Sequence, residues 1–222
     1  ERLKENGITD IIMVIGHLGN KIREYFGDGE KFGVAIRYFE ETEPLGTAGS
    51  FYYLKDMIHG DRFVMMSGDL FFDIDFQRMI HFHEEKGVVV TLFVHPNGHP
   101  CDSVLLVVDH DDKITAFGTK HNVRNYWYEN CVNARNFVFE KKICNYVPEP
   151  VKRNLENDVI KGMLEAGEPI YGYCSPEYVK DVGTVERVNQ TLADIERGVI
   201  AGKWLKNKQR CIFLGREGKR HQ

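Results

Sequence analysis

Apolar positions along this chain come in short runs that alternate with stretches spaced for helices. Ile11 to Leu18 reads as a strand, Lys21 to Phe26 as a short helix and Val34 to Phe39 as an alternating strand. Thr47 to Ile58 then sets Ala48, Phe51, Tyr52, Leu54 and Ile58 at helical spacing. Phe63 to Met66 is an apolar run that stops at Ser67-Gly68-Asp69, which predicts a buried parallel strand delivering a carboxylate to a sheet edge. In open α/β sheets that edge is where ligands bind. Phe76 to Glu85 places Phe76, Met79, Ile80 and His83 on one helical face and leads into the β-branched run Val88 to Val94. Strand, helix, strand, helix, strand at this spacing predicts parallel βαβ units with right-handed crossovers.

After His95 the pattern changes. Ser103 to Val108 and Ile114 to Phe117 flank Asp109-His110-Asp111-Asp112, which predicts a β-hairpin beside the parallel sheet. Val132 to Phe139 reads as a strand, Leu155 to Ala166 as an amphipathic helix and Ile170 to Cys174 as a short strand. Tyr178 to Asp181 is another strand ending in an acid. The helix from Val185 to Arg197 starts at the N-cap Thr184 and stops at Gly198. One domain is expected over residues 1–198, a basic linker over 199–210 and the strand-like beginning of a further unit over 211–222. The opening Glu1 to Gly7 resembles the last turns of a glycine-capped helix without a start signal, so upstream sequence is expected.

Composition narrows the function. With 222 residues, 42% of them hydrophobic, the chain can build a sizeable core. A net charge of −4 offers no general basic field to nucleic acid, so any phosphate site must be local. The apolar runs fall far short of the roughly 20 residues needed to span a bilayer, and no signal-peptide pattern opens the chain. A cytoplasmic protein without a membrane partner is expected. Cys101, Cys131, Cys144, Cys174 and Cys211 are widely spaced and lack a C-x-x-C pair, so they read as reduced thiols.

Three features carry candidate chemistry. Leu45-Gly46-Thr47-Ala48-Gly49 follows Pro44 and precedes a helix, a composition that lets backbone approach a flat ligand but also suits a plain turn. Asp69 ends one strand and Asp181 another; Thr184 already serves as the helix cap, which leaves Asp181 free to act as a ligand. A magnesium ion on a nucleotide takes only one or two protein carboxylates and otherwise uses phosphates and water, so two acids suffice. Lys120 could hold a phosphate by charge-assisted bonds of roughly 1.5–3 kcal/mol, though an exposed hairpin lysine is commoner. His81 and His83 are two apart on a helix, face different directions and make a poor metal pair.

In order and spacing, Leu45-Gly46-Thr47-Ala48-Gly49, Ser67-Gly68-Asp69, Val132-Asn133-Ala134 and Lys180-Asp181-Val182-Gly183-Thr184 resemble the sugar-phosphate nucleotidyltransferases. His99-Pro100-Cys101-Asp102-Ser103 and Glu177 to Asp181 resemble the branch acting on mannose 1-phosphate or manno-heptose 1-phosphate with guanylyl transfer. The resemblance implies a Rossmann-like three-layer α/β sandwich with a mostly parallel central sheet and a small β-hairpin subregion, lacking its N-terminal strand and phosphate loop. It implies attack of a sugar 1-phosphate on the α-phosphorus of a nucleoside triphosphate, GTP by that branch, with release of pyrophosphate. Asp69 and Asp181 would carry Mg2+, Leu45 to Gly49 and Gly68 would meet the nucleotide, and Lys120, Asn133 and Asp158 would meet the sugar phosphate. Self-association stays open.

The chain departs from the family pattern at named places. Arg135 stands where glycine usually follows Val-Asn-Ala, and Thr119 stands where an acid often precedes the lysine. The glycine-rich triphosphate loop is expected upstream of Glu1. The tail Lys208 to Lys219 resembles the first motif of haloacid dehalogenase-type phosphatases, but Gly215 and Glu217 occupy its two aspartate positions, so no phosphatase activity is expected. The alternative to the enzyme reading is an inactive, truncated relative that only binds nucleotide or a partner subunit.

Overall fold

The computed structural model describes residues 1–96, 105–117 and 130–207. The motif at 99–103, Thr119, Lys120 and the tail from Lys208 lie outside those residues.

The helix and strand order follows the sequence pattern closely. A short helix α1 (Arg2–Glu5) closes at Gly7, whose φ of 77° needs a glycine. It is followed by β1 (Asp10–Ile15), α2 (Gly19–Phe26) and β2 (Ala35–Glu40), and β1 pairs with β2 in parallel. α3 (Phe51–Met57) begins four residues later than the apolar spacing suggests, because residues 47–50 form a turn. Arg37 on β2 donates to the Met57 carbonyl at 2.6 Å and pairs with Asp10 at 2.9 Å, tying the β1–β2 unit to α3.

The central sheet has four strands in the order β3 (Arg62–Met66), β8 (Val132–Glu140), β5 (Val90–His95) and β9 (Ile170–Cys174). β8 runs antiparallel to both β3 and β5, while β5 and β9 are parallel. Three of the four strands therefore share one direction, with β8 reversed among them. This corrects the expectation for the stretch ending at Ser67-Gly68-Asp69: its neighbour is antiparallel, and Phe63 to Met66 are half-buried. Burial is concentrated instead on β5, where Val90 to Val94 are fully enclosed.

Side chains of the sheet alternate between two apolar layers, which defines the three-layer sandwich. Val90, Leu92, Val94, Phe137 and Phe139 face a layer closed by Phe51 and Leu54 of α3 and by Leu155, Ile160 and Met163. Phe93, Ala134 and Val138 face the other layer, closed by Phe76 and Met79 of α4 (Phe76–Lys86). Each fully buried residue of this size contributes about 1.5–3 kcal/mol of transfer free energy.

Two further pairs complete the fold. β6 (Leu106–Val108) and β7 (Ile114–Phe117) form the expected antiparallel hairpin. β4 (Leu70–Asp73), the continuation of the central stretch beyond the turn at 67–69, leaves β3's sheet and pairs antiparallel with β10 (Tyr178–Asp181). The predicted helix from Leu155 is π-helical over Leu155–Ile160 and α-helical over α5 (Lys161–Glu165). α6 (Val185–Glu196) starts where the Thr184 hydroxyl accepts from the Arg187 amide and is followed by Gly198 at a φ of 72°. The stretch expected as a linker instead carries α7 (Val199–Lys203), after which Leu205 N donates to the buried Glu177 and Lys206 donates to Asn6. Cys131 and Cys144 are buried and Cys174 is exposed, and no helix among the described residues is long and apolar enough to cross a membrane.

Candidate functional site

The β4–β10 ladder brings the two candidate acids together. Asp181 is in register with Leu70, and Val182 N donates to the Asp69 carbonyl at 2.8 Å. A methyl group built on Gly183 would stand 3.0 Å from Asp181 Oδ1 and 3.9 Å from Asp69 Oδ2. One oxygen of each carboxylate therefore lies beside Gly183, which places no side chain between them and solvent. Gly68, Asp69 and Gly183 are solvent-exposed and Asp181 is half-buried, so both acids are reachable from outside. Two neighbouring exposed or half-buried carboxylates are oxygen donors of the kind a hard divalent cation such as Mg2+ takes, alongside water and phosphate oxygens.

Asp181 also has partners within the protein. Its Oδ1 accepts from Gly183 N at 2.7 Å and its Oδ2 pairs with Arg187 at 3.0 Å. The Gly183 amide above all, then Arg187 and Arg135, hold its carboxyl below the ordinary carboxylate range.

The predicted nucleotide loop is packed against the segment that starts the π-helix. Ala48 N donates to the Arg153 carbonyl at 3.1 Å, Arg153 N donates to the Leu45 carbonyl at 2.9 Å, and the Thr47 hydroxyl accepts from Leu155 N at 2.8 Å. Gly46 has a φ of 73°, and a Cβ there would lie 2.4 Å from the Arg153 carbonyl oxygen. At Gly49 a Cβ would lie 2.4 Å from the carbonyl oxygens of both Leu45 and Val151. The glycines are thus demanded by backbone packing, and the outer part of the loop, Gly46 and Thr47, is exposed.

Hydrogen bonds carry this loop to the acids. Glu156, in the first π-helical turn, accepts from Asn133 Nδ2 at 2.6 Å. Asn133 Oδ1 accepts from Arg135 N at 2.9 Å, and the Arg135 carbonyl accepts from Ser67 N at 3.3 Å, two residues before Asp69. The 45–49 loop, Asn133 and the turn carrying Gly68 and Asp69 are consequently linked through hydrogen-bonded segments, with Ala48 and Gly49 buried beneath the exposed Gly46 and Thr47. Asp158 is exposed and takes part in a reciprocal helix cap: its carboxylate accepts from Asn154 N at 2.6 Å while Asn154 Oδ1 accepts from Asn157 N at 2.8 Å.

Glu156 and Arg187 bond to residues of this network and were not singled out by sequence reasoning. Arg187 carried a readable signal, since a cation in the first turn of a helix opposes the helix dipole unless an anion stands beside it. Among the described residues the one cluster of three potential ligands is Asp109, His110 and Asp111 at the hairpin tip, where Asp109 already accepts from the amides of Asp111 and Lys113.

An α/β sandwich with a loop, an amide side chain and paired acids along one sheet edge is an arrangement suited to binding a phosphorylated ligand. The chain belongs to the nucleotidyl transferase family, whose model matches residues 1–198. It is 28% identical over 199 residues to the mannose-1-phosphate guanylyltransferase of Mycobacterium tuberculosis, covering 89% of this chain and 55% of the relative. It is 28% identical over 222 residues to a UTP–glucose-1-phosphate uridylyltransferase of Synechocystis, covering 94% of this chain and 56% of the relative. A D-glycero-alpha-D-manno-heptose 1-phosphate guanylyltransferase of Aneurinibacillus thermoaerophilus is 28% identical over 182 residues, covering 82% of this chain and 76% of the relative. The chain thus spans little more than half the length of the first two. The crystal structure of HddC from Yersinia pseudotuberculosis complexed with GMP-PN shares the fold, with a TM-score of 0.73 at 18% identity over 87% of this chain and 82% of that one.

Proposed function

We propose that this chain forms the catalytic part of a magnesium-dependent nucleotidyltransferase that moves a nucleoside monophosphate, with guanosine the favoured base, from a nucleoside triphosphate to the 1-phosphate of mannose or a manno-heptose. The observation that carries this reading is that Asp69 and Asp181, joined through the Val182 N to Asp69 carbonyl bond, each place a carboxylate oxygen beside Gly183. The guanylyltransferase relatives and the GMP-PN complex of the structural neighbour support the base and sugar.

In this reading Leu45 to Gly49 and Gly68 lie against the nucleotide, Asn133 donates to a sugar hydroxyl while Glu156 fixes its amide, and Lys120 meets the sugar phosphate. Asp69 and Asp181 would hold Mg2+, which when bound neutralises phosphate charge and orients the in-line displacement. The protein's own contribution is positioning and charge compensation, because phosphoryl chemistry leaves little covalent work to side chains. Cysteines that are widely spaced and lack a C-x-x-C pair fit a reaction carried out in the cytoplasm.

A second reading, nucleotide binding without turnover, is favoured by the Arg187 guanidinium seated on Asp181 at 3.0 Å. Pyrophosphate release separates the two. The protein is incubated with Mg2+, each of GTP, UTP and dTTP, and mannose, manno-heptose or glucose 1-phosphate. GTP with mannose or heptose 1-phosphate should turn over, and Asp69→Asn and Asp181→Asn should each lower the rate about 100-fold or more, the scale of losing one charge-stabilising group. No pyrophosphate from any pair would sink the enzyme reading.

A further inference from the structure

We propose that Arg135 is a phosphate-binding residue of this site and takes an oxyanion from either the sugar 1-phosphate or the nucleoside triphosphate. The inference rests on the functional reading above, to which it adds a ligand-contacting side chain.

Arg135 sits in a bulge of β8. Against β5 the register steps from Leu92 opposite Phe137 to Val94 opposite Asn133, so β8 carries extra residues between them. Ala134 and Asn136 are buried, Asn136 Nδ2 bridges the bulge to the Ala134 carbonyl at 3.2 Å, and Arg135 is turned outward to solvent. Bulges beside ligand sites re-aim single side chains in this way.

The backbone here is left-handed, with a φ of 56° at Arg135. A side chain at such a φ is strained, and glycine would adopt the conformation freely. The local structure gives no reason for an arginine. The Arg135 amide donates to Asn133 Oδ1 and its carbonyl accepts from Ser67 N, both of which glycine would do equally well. Strain retained at an exposed position points to a use for the side chain.

What surrounds it indicates the use. The Arg135 backbone links Asn133, the proposed sugar contact, at 2.9 Å to Ser67 N at 3.3 Å, two residues before Asp69. The direct ion pair with Asp181 belongs to Arg187 at 3.0 Å. The bulge therefore presents an exposed guanidinium from the segment bonded to the turn that carries Asp69, and a planar guanidinium matches phosphate oxygens in bidentate fashion.

Calorimetric titration of the protein with mannose 1-phosphate and with GTP, each against mannose and guanosine as phosphate-free controls, tests this. Arg135→Gly should weaken one or both phosphate probes about 10- to 100-fold, leave the controls unchanged and unfold no earlier than wild type, while Arg135→Lys recovers part of the affinity. The probe that loses affinity identifies which phosphate Arg135 holds. Equal binding of both probes by Arg135→Gly and wild type overturns the inference, as does a parallel loss of probes and controls with a lowered unfolding midpoint, which marks a structural role. If phosphate binding depends on Arg135 while wild type turns nothing over, the inference stands and the enzyme reading fails. Turnover with kcat and KM untouched by Arg135→Gly gives the reverse.

Discussion

Val182 N reaches the Asp69 carbonyl at 2.8 Å, so the turn that follows β3 and the turn that follows β10 are joined through their backbones one residue away from Asp181. The side chains of the two acids are consequently placed by main-chain geometry rather than by each other. Gly183, next in the chain, has no side chain to occupy the space beside both acids.

Gly183→Ala tests that openness. The φ of Gly183 is outside the left-handed region, so alanine costs no backbone strain, but its methyl would crowd Asp181 Oδ1 at 3.0 Å. The variant should keep its unfolding midpoint and lose affinity for Mg2+ or Mn2+ by about 10-fold or more, the size of a disturbed metal shell. Unchanged metal binding by calorimetry would place the cation elsewhere.

Two glycines outside the acid pair should respond with opposite signs. Gly49→Ala forces a methyl to within 2.4 Å of the Leu45 and Val151 carbonyl oxygens and should destabilise the fold by about 1–3 kcal/mol. In Gly162→Ala the methyl meets nothing within 4 Å, inside α5, and the change should stabilise by about 0.4–1 kcal/mol. Urea unfolding of the two variants checks both, and equal effects would contradict the packing described for the nucleotide loop.

Glu177 ties three segments together. Its buried carboxylate accepts from Asp75 N at 2.9 Å, Leu205 N at 3.3 Å and Ser175 Oγ at 3.0 Å. Removing it in Glu177→Ala strands buried donors at about 1–3 kcal/mol each, whereas Glu177→Gln keeps an acceptor and should be far milder. Burial raises this carboxyl above its ordinary value of 4.5. The native state then holds the proton more tightly than the unfolded chain, so this contribution to stability is complete below 4.5 and lost as pH rises through the folded pKa. Relative to Glu177→Gln, wild type should lose stability upward across that window in pH-dependent urea melts.

His83 should act in the opposite direction. It is buried in α4, with Nδ1 2.8 Å from Thr91 Oγ1 and Nε2 3.4 Å from Glu140, and Arg62 and Glu84 stand nearby. Burial lowers its pKa below 6.5 in spite of Glu140. The unfolded chain binds the proton better, so the contribution is complete above 6.5 and lost as pH falls through the folded pKa. His83→Asn should flatten the loss of thermal midpoint on acidification below 6.5; an identical slope in both proteins would show that His83 does not titrate on unfolding.

Much of this architecture was readable from residue pattern because the elements are punctuated by local chemistry. Thr184 and Gly198 bound α6, Gly7 closes α1, and Phe76, Met79 and His83 mark the buried face of α4. Strand direction was not readable. The apolar alternation of Val132 to Phe139 is the same whether β8 runs with its neighbours or against them. The acids at strand ends were found by position, but the separation of roles between Asp158 and Glu156 depends on where the helix begins. Asn154 as the cap turns Asp158 back onto the backbone and sends Glu156 to Asn133. The bulge that turns Arg135 outward arises from register with β5, a long-range property that no window of sequence displays.

The β4–β10 ladder also sets when during synthesis this chain acquires a site. Asp69 leaves the ribosome early, yet it has no partner acid until Asp181 emerges and its strand pairs with Leu70 to Asp73. Pairing of segments so distant in sequence is slow because the intervening loop must close first. A nascent chain therefore carries the 45–49 loop long before its two acids can meet. Under the proposed function, metal affinity would be a readout of completed folding.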